Sequence, residues 1–493
     1  MAFFKAVKNK LGVGVTMDKM YDVLLISFTG SNVSKELERI ARVYDEKEVE
    51  LNVSFPGALA HLGTKLIRNG YTCDYLSSFE DFKDELKEKL TTNDYKYVGI
   101  STTHITDFES LEKIAAFVKK YKPSATIFVG GPFIVAKTKQ FTLRELQLLY
   151  KKIGADIYFN SYAGGDKLIE IIEALNGKRE LADIKNITFR SGNQFIKNET
   201  EIEYESLEDC NLDWKLFGDQ NLKIVPIRAS ISCPYSCTFC AYPIHSGKHQ
   251  IRTIDNVERE LNQIYEMGKT QIVHFIDDNL NVPTERFKDM LLMMKRNQYK
   301  FKWFSYVRCQ FITDELAQLM KETGCVAVIL GLESGNQEML NRMNKKTTVE
   351  DLTRGISILK KHGIATMGFF FVGFPGETEE SVNDTINFIN NAAPDFYAVV
   401  PWYYDITTPI SKQKEAYNLV GNNYQWSHAT MDYSKAEELC NEFPKRITNS
   451  TIKTIQTHHV FEMLAHGFEL DEVKSILKNI GNEVRLGKNL RKK

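Results

Sequence analysis

The pattern that most constrains the fold is an alternation of short apolar runs with amphipathic stretches, which extends over most of the 493 residues. Between residues 21 and 176 the runs DVLLISF, YVGIST, ATIFVGG and ADIYFN alternate with helical patterns such as ESLEKIAAFVKKY. Strand-like runs separated by helix-length segments are typical of a parallel α/β sheet. Residues 21–176 are therefore predicted to form a doubly wound parallel sheet.

A second α/β series begins at Lys223, after a polar stretch over 177–222 that is predicted to connect two domains and contains the hairpin-like FRSGNQFI. Six strand-like segments, from IVPIRASIS to FYAVVPWYY, alternate with helical ones over residues 223–410. This repeat predicts a partial or full (β/α) barrel whose chemistry lies at the C-terminal ends of its strands. The remaining residues, 411–493, are predicted to be helical.

Composition excludes several classes of protein. Lys and Arg total 63 and Asp and Glu 64, so the net charge of −1 argues against general affinity for nucleic acid or anionic membranes. The longest apolar runs reach nine residues, about half of the ~18 that a membrane-spanning helix needs. The first twenty residues lack the pattern of a secretory signal, which predicts a cytoplasmic protein without disulfides.

Three of the eight cysteines, Cys233, Cys237 and Cys240, lie within eight positions of one another. This Cys-x3-Cys-x2-Cys spacing supplies three thiolates from one loop, enough for three irons of a cubane cluster, and leaves the fourth iron without a protein ligand. The alternative is structural zinc, which requires four ligands. His245 or His249 would then have to complete the site.

The cysteine loop SCPYSCTFC, with Phe239 at the aromatic position, resembles the cluster loop of the radical S-adenosylmethionine (SAM) superfamily. The resemblance continues through FIDDN (275–279), GLESGN (331–336) and GFPGET (373–378), each at the end of a predicted strand. It implies a [4Fe-4S] cluster on the three cysteines, with SAM bound to the open iron. It further implies an electron donor of the flavodoxin or ferredoxin type and cleavage of SAM to a 5′-deoxyadenosyl radical.

The same resemblance implies which residues contact SAM. For Asp277 and Asp278, capping of the next helix is an equally good interpretation, and for Glu333 the alternative is an exposed acid in a turn. The implied contacts are Phe239, Tyr242, Asp277, Asp278, Glu333, Ser334, Gly373, Gly376 and Glu377.

The N-terminal unit resembles the cobalamin-binding domain that precedes many radical SAM barrels, through PGALAHLGTKLIRNGY, STTHITD and VGGPF (129–133). The resemblance implies bound cobalamin, with Gly130 and Gly131 admitting the nucleotide tail and His61 or His104 facing the corrin. The Asp-x-His-x-x-Gly signature that supplies a cobalt ligand in cobalamin mutases is missing.

These resemblances favour a cobalamin-dependent methyltransferase that acts on an unreactive carbon or phosphorus, similar to the phosphinothricin-pathway P-methyltransferases. The substrate is expected to be a small molecule or a peptide, shaped by residues 402–410 and 424–432. The alternative is a peptide epimerase with a vestigial cobalamin domain, which needs a hydrogen-donating thiol from Cys309, Cys325 or Cys440. Methylthiotransfer normally requires three more cysteines in the N-terminal domain, where only Cys73 is present.

Overall fold

The computed structural model describes residues 19–28, 33–44, 49–161, 164–201, 206–207 and 212–490, with backbone only for Ser34 and 483–490. Two seven-stranded sheets organise this part of the chain. The strands are β1 (Met20–Ile26), β2 (Cys73–Leu76), β3 (Asp94–Ser101), β4 (Thr126–Gly130), β5 (Ile157–Phe159), β6 (Ile187–Ser191), β7 (Gln194–Lys197), β8 (Ile224–Ile227), β9 (Ser230–Ile231), β10 (Gln250–Ile251), β11 (Ile272–Phe275), β12 (Lys302–Val307), β13 (Cys325–Glu333), β14 (Ala365–Val372), β15 (Phe396–Pro401), β16 (Val420–Asn422), β17 (Gln425–His428), β18 (Met431–Asp432) and β19 (Thr451–Ile452).

Helices connect these strands and cover the sheets. They are α1 (Val33–Val43), α2 (Gly57–Arg68), α3 (Lys83–Thr92), α4 (Phe108–Tyr121), α5 (Pro132–Gln140), α6 (Leu143–Ile153), α7 (Gly164–Leu175), α8 (Tyr242–Ser246), α9 (Ile254–Glu266), α10 (Thr284–Asn297), α11 (Asp314–Glu322), α12 (Gln337–Arg342), α13 (Val349–Lys361), α14 (Glu379–Ala392), α15 (Tyr433–Cys440), α16 (Phe443–Arg446), α17 (Thr457–Ala465) and α18 (Leu470–Leu490).

The first sheet has the order β2-β1-β3-β4-β5-β6-β7, and β1 to β5 are parallel. Helices α2 and α7 bury Leu59 and Ile171 on one face, while α3, α4 and α6 bury Leu86, Ile114 and Leu146 on the other. The predicted doubly wound sheet is confirmed. The strand order reverses between β1 and β3, which is where open α/β sheets bind ligands beyond the carboxyl ends of their strands.

The predicted connector differs from the structure over residues 187–197. There β6 and β7 form a hairpin, turning at Gly192 with φ +58°, that continues the first sheet antiparallel to β5. Ile187 and Phe189 are buried within it. The hairpin is short and polar on its outer side, and for this reason the sequence pattern there resembles a linker.

The second sheet is parallel in the order β19-β15-β14-β13-β12-β11-β8, so the predicted barrel is partial, with β8 and β19 as its edges. Its inner face packs on helices α1, α17 and α18 through residues such as Ile40, Phe461 and Ile476. These helices fill the barrel at the end opposite the carboxyl ends of the strands. The other end stays open toward the first sheet.

The C-terminal region is not helical throughout, which corrects the prediction for 411–493. It adds β19 to the barrel sheet and forms the small antiparallel sheet β16-β17-β18. Trp426 of β17 is buried in the same apolar core as Phe374 and Trp402. Strands of two to four residues are too short for a periodic pattern to reveal them.

Candidate active site at the domain interface

A cavity of about 900 Å³ lies between the carboxyl ends of the two sheets. From the first sheet it is lined by Thr103, His104, Pro132, Asn160 and Ser161, and from the barrel by Pro226, Arg228, His274, Phe304 and Tyr306. Tyr242 and His245 of α8 complete the lining beside the cysteine loop. The volume lies at the upper end of the range for small-molecule and cofactor sites.

The cysteine loop runs from the short β9-β10 hairpin to α8. The amide of Tyr235 donates to Cys233, and the amide of Tyr242 donates to Cys240. The side-chain amide of Asn279 lies with Nδ2 3.0 Å from Cys233 Sγ. Donors aimed at sulfur stabilise thiolates, which are the form in which cysteine binds iron. The loop therefore fits a cluster.

The zinc alternative lacks the geometry it needs. Within the described ranges no three Cys, His, Asp or Glu side chains converge on a point where a single metal ion could be held. His245 is engaged elsewhere, with Nδ1 3.1 Å from Lys139 Nζ and Nε2 3.1 Å from Thr407 Oγ1. Three thiols that do not meet at one point suit a cluster, in which each binds a different iron.

Positive charge flanks the cysteine loop. The Arg308 guanidinium lies 3.8 Å from the ring centroid of Tyr235 and interacts electrostatically with Cys233. Lys345 Nζ lies 5.7 Å from the ring centroid of Phe239. Two cations beside three cysteines favour the charged, thiolate form of these ligands.

Glu333 ends β13 in the left-handed region, with φ +64°, where the pairing with β14 is irregular. Its Oε1 is 2.7 Å from Lys345 Nζ, and both side chains are almost buried. A non-glycine residue in this conformation is strained, and such strain concentrates at functional sites. The structure thus brings Glu333 beside Cys240 and Phe239, and contact with SAM stays a prediction.

The two aspartates after β11 have different surroundings. Asp277 is fully buried and accepts hydrogen bonds from the Ala229 amide (3.1 Å) and the Ser230 hydroxyl (2.5 Å), so it fixes the chain that leads to the cysteine loop. Asp278 interacts with Arg228 and accepts from the Tyr242 hydroxyl, while burial raises its pKa to about 6. Only Asp278 joins groups that line the cavity.

Four other predicted SAM contacts already have neighbours within the protein. The Ser334 hydroxyl lies 3.1 Å from Thr385 Oγ1, and Glu377 Oε2 accepts from the Gly373 amide at 2.5 Å. A Cβ on Gly373 would lie 2.3 Å from Trp426, and one on Gly376 1.8 Å from Arg342. These glycines are required for packing of the barrel, and their approach to adenosine stays a prediction.

Gly130 and Gly131 are also tightly packed. A Cβ on Gly130 would lie 2.3 Å from the Phe159 ring. Gly131 has φ +114°, and its Cβ would lie 2.8 Å from Thr102 Oγ1. The pair allows β4 to approach β5 and the loop after β3, which shapes the edge of the cavity. His61 and His104 both line that cavity.

The three candidate thiols for an epimerase lie away from this site. Cys309 packs under α13, Cys325 begins β13 at the end of the barrel opposite the cavity, and Cys440 ends α15. Burial raises the thiol pKa of Cys309 and Cys440 to about 12. The described residues that line the cavity include none of the three.

Sequence reasoning did not find His274 and His458, which line the cavity together with Arg228. His274 is a polar residue within the apolar run IVHF of β11, and this is the signal that marks it. His458 lies on α17, some 180 residues further along the chain, and no local pattern distinguishes it.

Comparison with known proteins identifies the class of the barrel. Residues 228–389 match the family model of the Radical SAM superfamily. The chain therefore contains a radical SAM domain, and it is an enzyme of this class. No helix in the described ranges combines the length and apolar character needed to cross a membrane.

Among curated proteins, the uncharacterized methyltransferase PH0819 of Pyrococcus horikoshii is 26% identical over 332 residues, which cover 64% of this chain and 70% of that protein. The bacteriochlorophyllide d C-12(1)-methyltransferase of Chlorobaculum tepidum is 33% identical over 172 residues, covering 34% and 37%. Both similarities are partial.

Two solved structures share the fold across both domains. The radical SAM methyltransferase TsrM of Kitasatospora setae, solved with cobalamin and a [4Fe-4S] cluster, has a TM-score of 0.66 at 15% identity, covering 96% of this chain and 100% of TsrM. The cobalamin-dependent SAM radical enzyme OxsB, solved with aqua-cobalamin, has a TM-score of 0.62 at 14% identity, covering 86% and 67%. The arrangement of an α/β domain against a partial barrel is thus shared.

Proposed function

We propose that this enzyme is a cobalamin-dependent radical SAM methyltransferase in which Cys233, Cys237 and Cys240 hold the [4Fe-4S] cluster. The observation that carries the proposal is the cavity of about 900 Å³ shared by the carboxyl ends of both sheets. The cluster supplies the electron that cleaves SAM, and cobalamin carries the methyl group. One cavity that opens on both sheets brings these two chemistries within reach of one substrate.

The residues of the barrel edge bind and orient SAM in this proposal. Arg228 and Tyr242 line the cavity next to the cysteine loop, and a guanidinium binds a carboxylate through paired hydrogen bonds. The strained Glu333, held by Lys345, accepts hydrogen bonds from SAM hydroxyl or amino groups. Water is excluded because the apolar side chains of Phe304 and Ile276 line the same wall.

The residues of the N-terminal sheet, within the predicted domain 21–176, bind cobalamin in this proposal. Their cavity-lining side chains are small or uncharged, among them Thr103, Pro132, Asn160 and Ser161. This edge, at the point where the strand order reverses, suits a large ligand that carries amide groups. TsrM and OxsB, with the same arrangement of domains, were solved with cobalamin.

The substrate enters, we infer, beside α8 and the segment 402–410, where Tyr403 and Ile406 are exposed. It is a small molecule or a peptide that offers an unreactive carbon or a phosphorus to the methyl group. The reducing electron comes from a flavodoxin- or ferredoxin-type protein. Peptide epimerisation is less well supported, because it needs a thiol at the reacting carbon and the three candidates lie elsewhere.

Metal content tests the proposal without knowledge of the substrate. The full chain is purified without oxygen from cells supplied with cobalamin, and iron and cobalt are measured per chain. We expect about four irons and about one cobalt, together with transfer of the SAM methyl label to cobalt or to an acceptor. Iron without cobalt would contradict the methyltransferase, and zinc in place of iron would contradict the cluster as well.

A further inference from the structure

Three histidines from distant parts of the chain meet in the cavity. His104 follows β3, His274 lies within β11, and His458 lies in the first turn of α17. The three are close enough for the charge of each to lower the pKa of a neighbour. This group therefore joins the N-terminal sheet, the barrel and the C-terminal helices at one place.

His104 is the member of the group that is presented to the cavity. The loop that carries it is fixed on both sides, since Thr102 donates to the Gly130 carbonyl from its amide (2.8 Å) and its hydroxyl (2.9 Å). Ile105, which follows, is 4% exposed, whereas His104 itself is exposed. Among the described residues its imidazole has no hydrogen-bond partner, so both ring nitrogens remain available to a ligand.

The other two imidazoles are constrained. The His274 ring stacks on Phe304 at 4.3 Å between centroids, and its Nε2 is buried without a hydrogen-bond partner in the described part of the chain. The His458 ring lies 4.0 Å from that of His459. His61, which also lines the cavity, lies on α2 and already has an interaction partner.

We propose that His104 is the protein ligand to the cobalt of bound cobalamin, approaching from the side of the N-terminal sheet. The proposal rests on the cobalamin binding proposed above. His104 lies at the reversal between β1 and β3, where the fold positions a ligand, and imidazole is a good ligand for divalent transition metals. Burial lowers the pKa of His104, so the ring is in the neutral form that a metal requires at pH 7.

Electron paramagnetic resonance of the cobalt(II) state tests the ligand directly, without any measurement of activity. The anaerobically purified full chain is loaded with cobalamin of natural isotopic abundance and reduced. We expect triplet nitrogen splitting of the cobalt lines in unlabelled enzyme and doublet splitting in enzyme grown with ¹⁵N-histidine. A triplet that persists in the labelled enzyme would assign the bond to the nucleotide base of cobalamin and overturn the proposal.

Variants then identify the histidine. His104→Ala and His104→Gln are expected to lose the splitting while cobalt is still bound, and the matched control His61→Ala is expected to keep the doublet in labelled enzyme. A doublet that survives in both His104 variants would assign the bond to another histidine and overturn the proposal. Should neither variant fold, labelled enzyme in which His274 and His458 are each replaced by Gln must keep the doublet. Bound cobalt with no splitting in wild type would refute the ligand alone, whereas no bound cobalt would refute cobalamin binding itself.

Discussion

The two sheets present opposite chemistry to the same cavity. The barrel edge presents charged groups in fixed pairs, such as Glu333 with Lys345 and Asp278 with Arg228. The segment 53–161 contributes, among its described residues, a single charged side chain, Lys139. Charged pairs hold a small charged ligand in one orientation, whereas an uncharged edge accommodates a large amide-bearing one. The difference indicates that one fold motif, used twice, serves two cofactors.

Loss of a cysteine of the loop should give the largest effect, confined to the barrel side. Cys237→Ala is expected to lose more activity than the roughly 10–100-fold that loss of a supporting partner of a metal ligand costs. Iron per chain should fall sharply and cobalt should remain, because the two sites lie on different sheets. Metal analysis and 5′-deoxyadenosine formation measure this. Cys440→Ala is the control, and equal iron in the two variants would contradict the assignment.

The pair formed by Glu333 and Lys345 should be the most costly charge to remove. Glu333→Gln leaves the lysine almost buried without its partner, which costs about 3–5 kcal/mol in the free energy of unfolding. Denaturant unfolding measures the change. The matched control Glu338→Gln breaks the exposed pair with Arg342 on α12 and is expected to cost less than about 1 kcal/mol. Equal losses would show that the barrel edge is no more specialised than the surface.

Asp278 gives the barrel edge a distinctive dependence on pH. Its pKa in the folded protein, about 6, is raised from 3.8, so the folded state binds more protons and its stability falls as pH rises between these values. The free energy of unfolding of Asp278→Asn relative to wild type should therefore increase over this interval, by up to about 3 kcal/mol. Urea unfolding from pH 4 to pH 6.5 measures it. The exposed Asp314, whose pKa Lys361 lowers, should give a change of opposite sign when replaced by Asn.

The uncharged edge should respond to shape rather than to charge. Gly130→Ala places a Cβ against Phe159 and is expected to cost about 1–3 kcal/mol in stability and to weaken cobalt binding, with iron unchanged. Thermal unfolding and metal analysis follow both effects, and the double variant with Phe159→Leu should recover part of the loss. As a control, a Cβ at Gly164 of the same domain would make only ordinary contact, 3.9 Å from Leu62. Equal losses at the two glycines would contradict this role for the edge.

The sequence predicted most of what is local. Periodicity identified the parallel sheets, and the cysteine spacing identified the loop, because both depend on residues close together in the chain. The prediction of the connector differs from the structure at β6 and β7, whose few residues carry too little pattern. The roles of Glu377 and Gly376 were not predictable, since their partners follow from how the turn after β14 packs.

The sequence by itself determined that two α/β units follow one another and that one loop can hold an iron–sulfur cluster. Only the tertiary structure decided that the carboxyl ends of both sheets share one cavity and that His104, His274 and His458 meet there. The physical reason is the range of the forces involved. Hydrogen bonding and apolar periodicity act between neighbours in the chain, whereas the apposition of two sheets depends on the packing of whole surfaces.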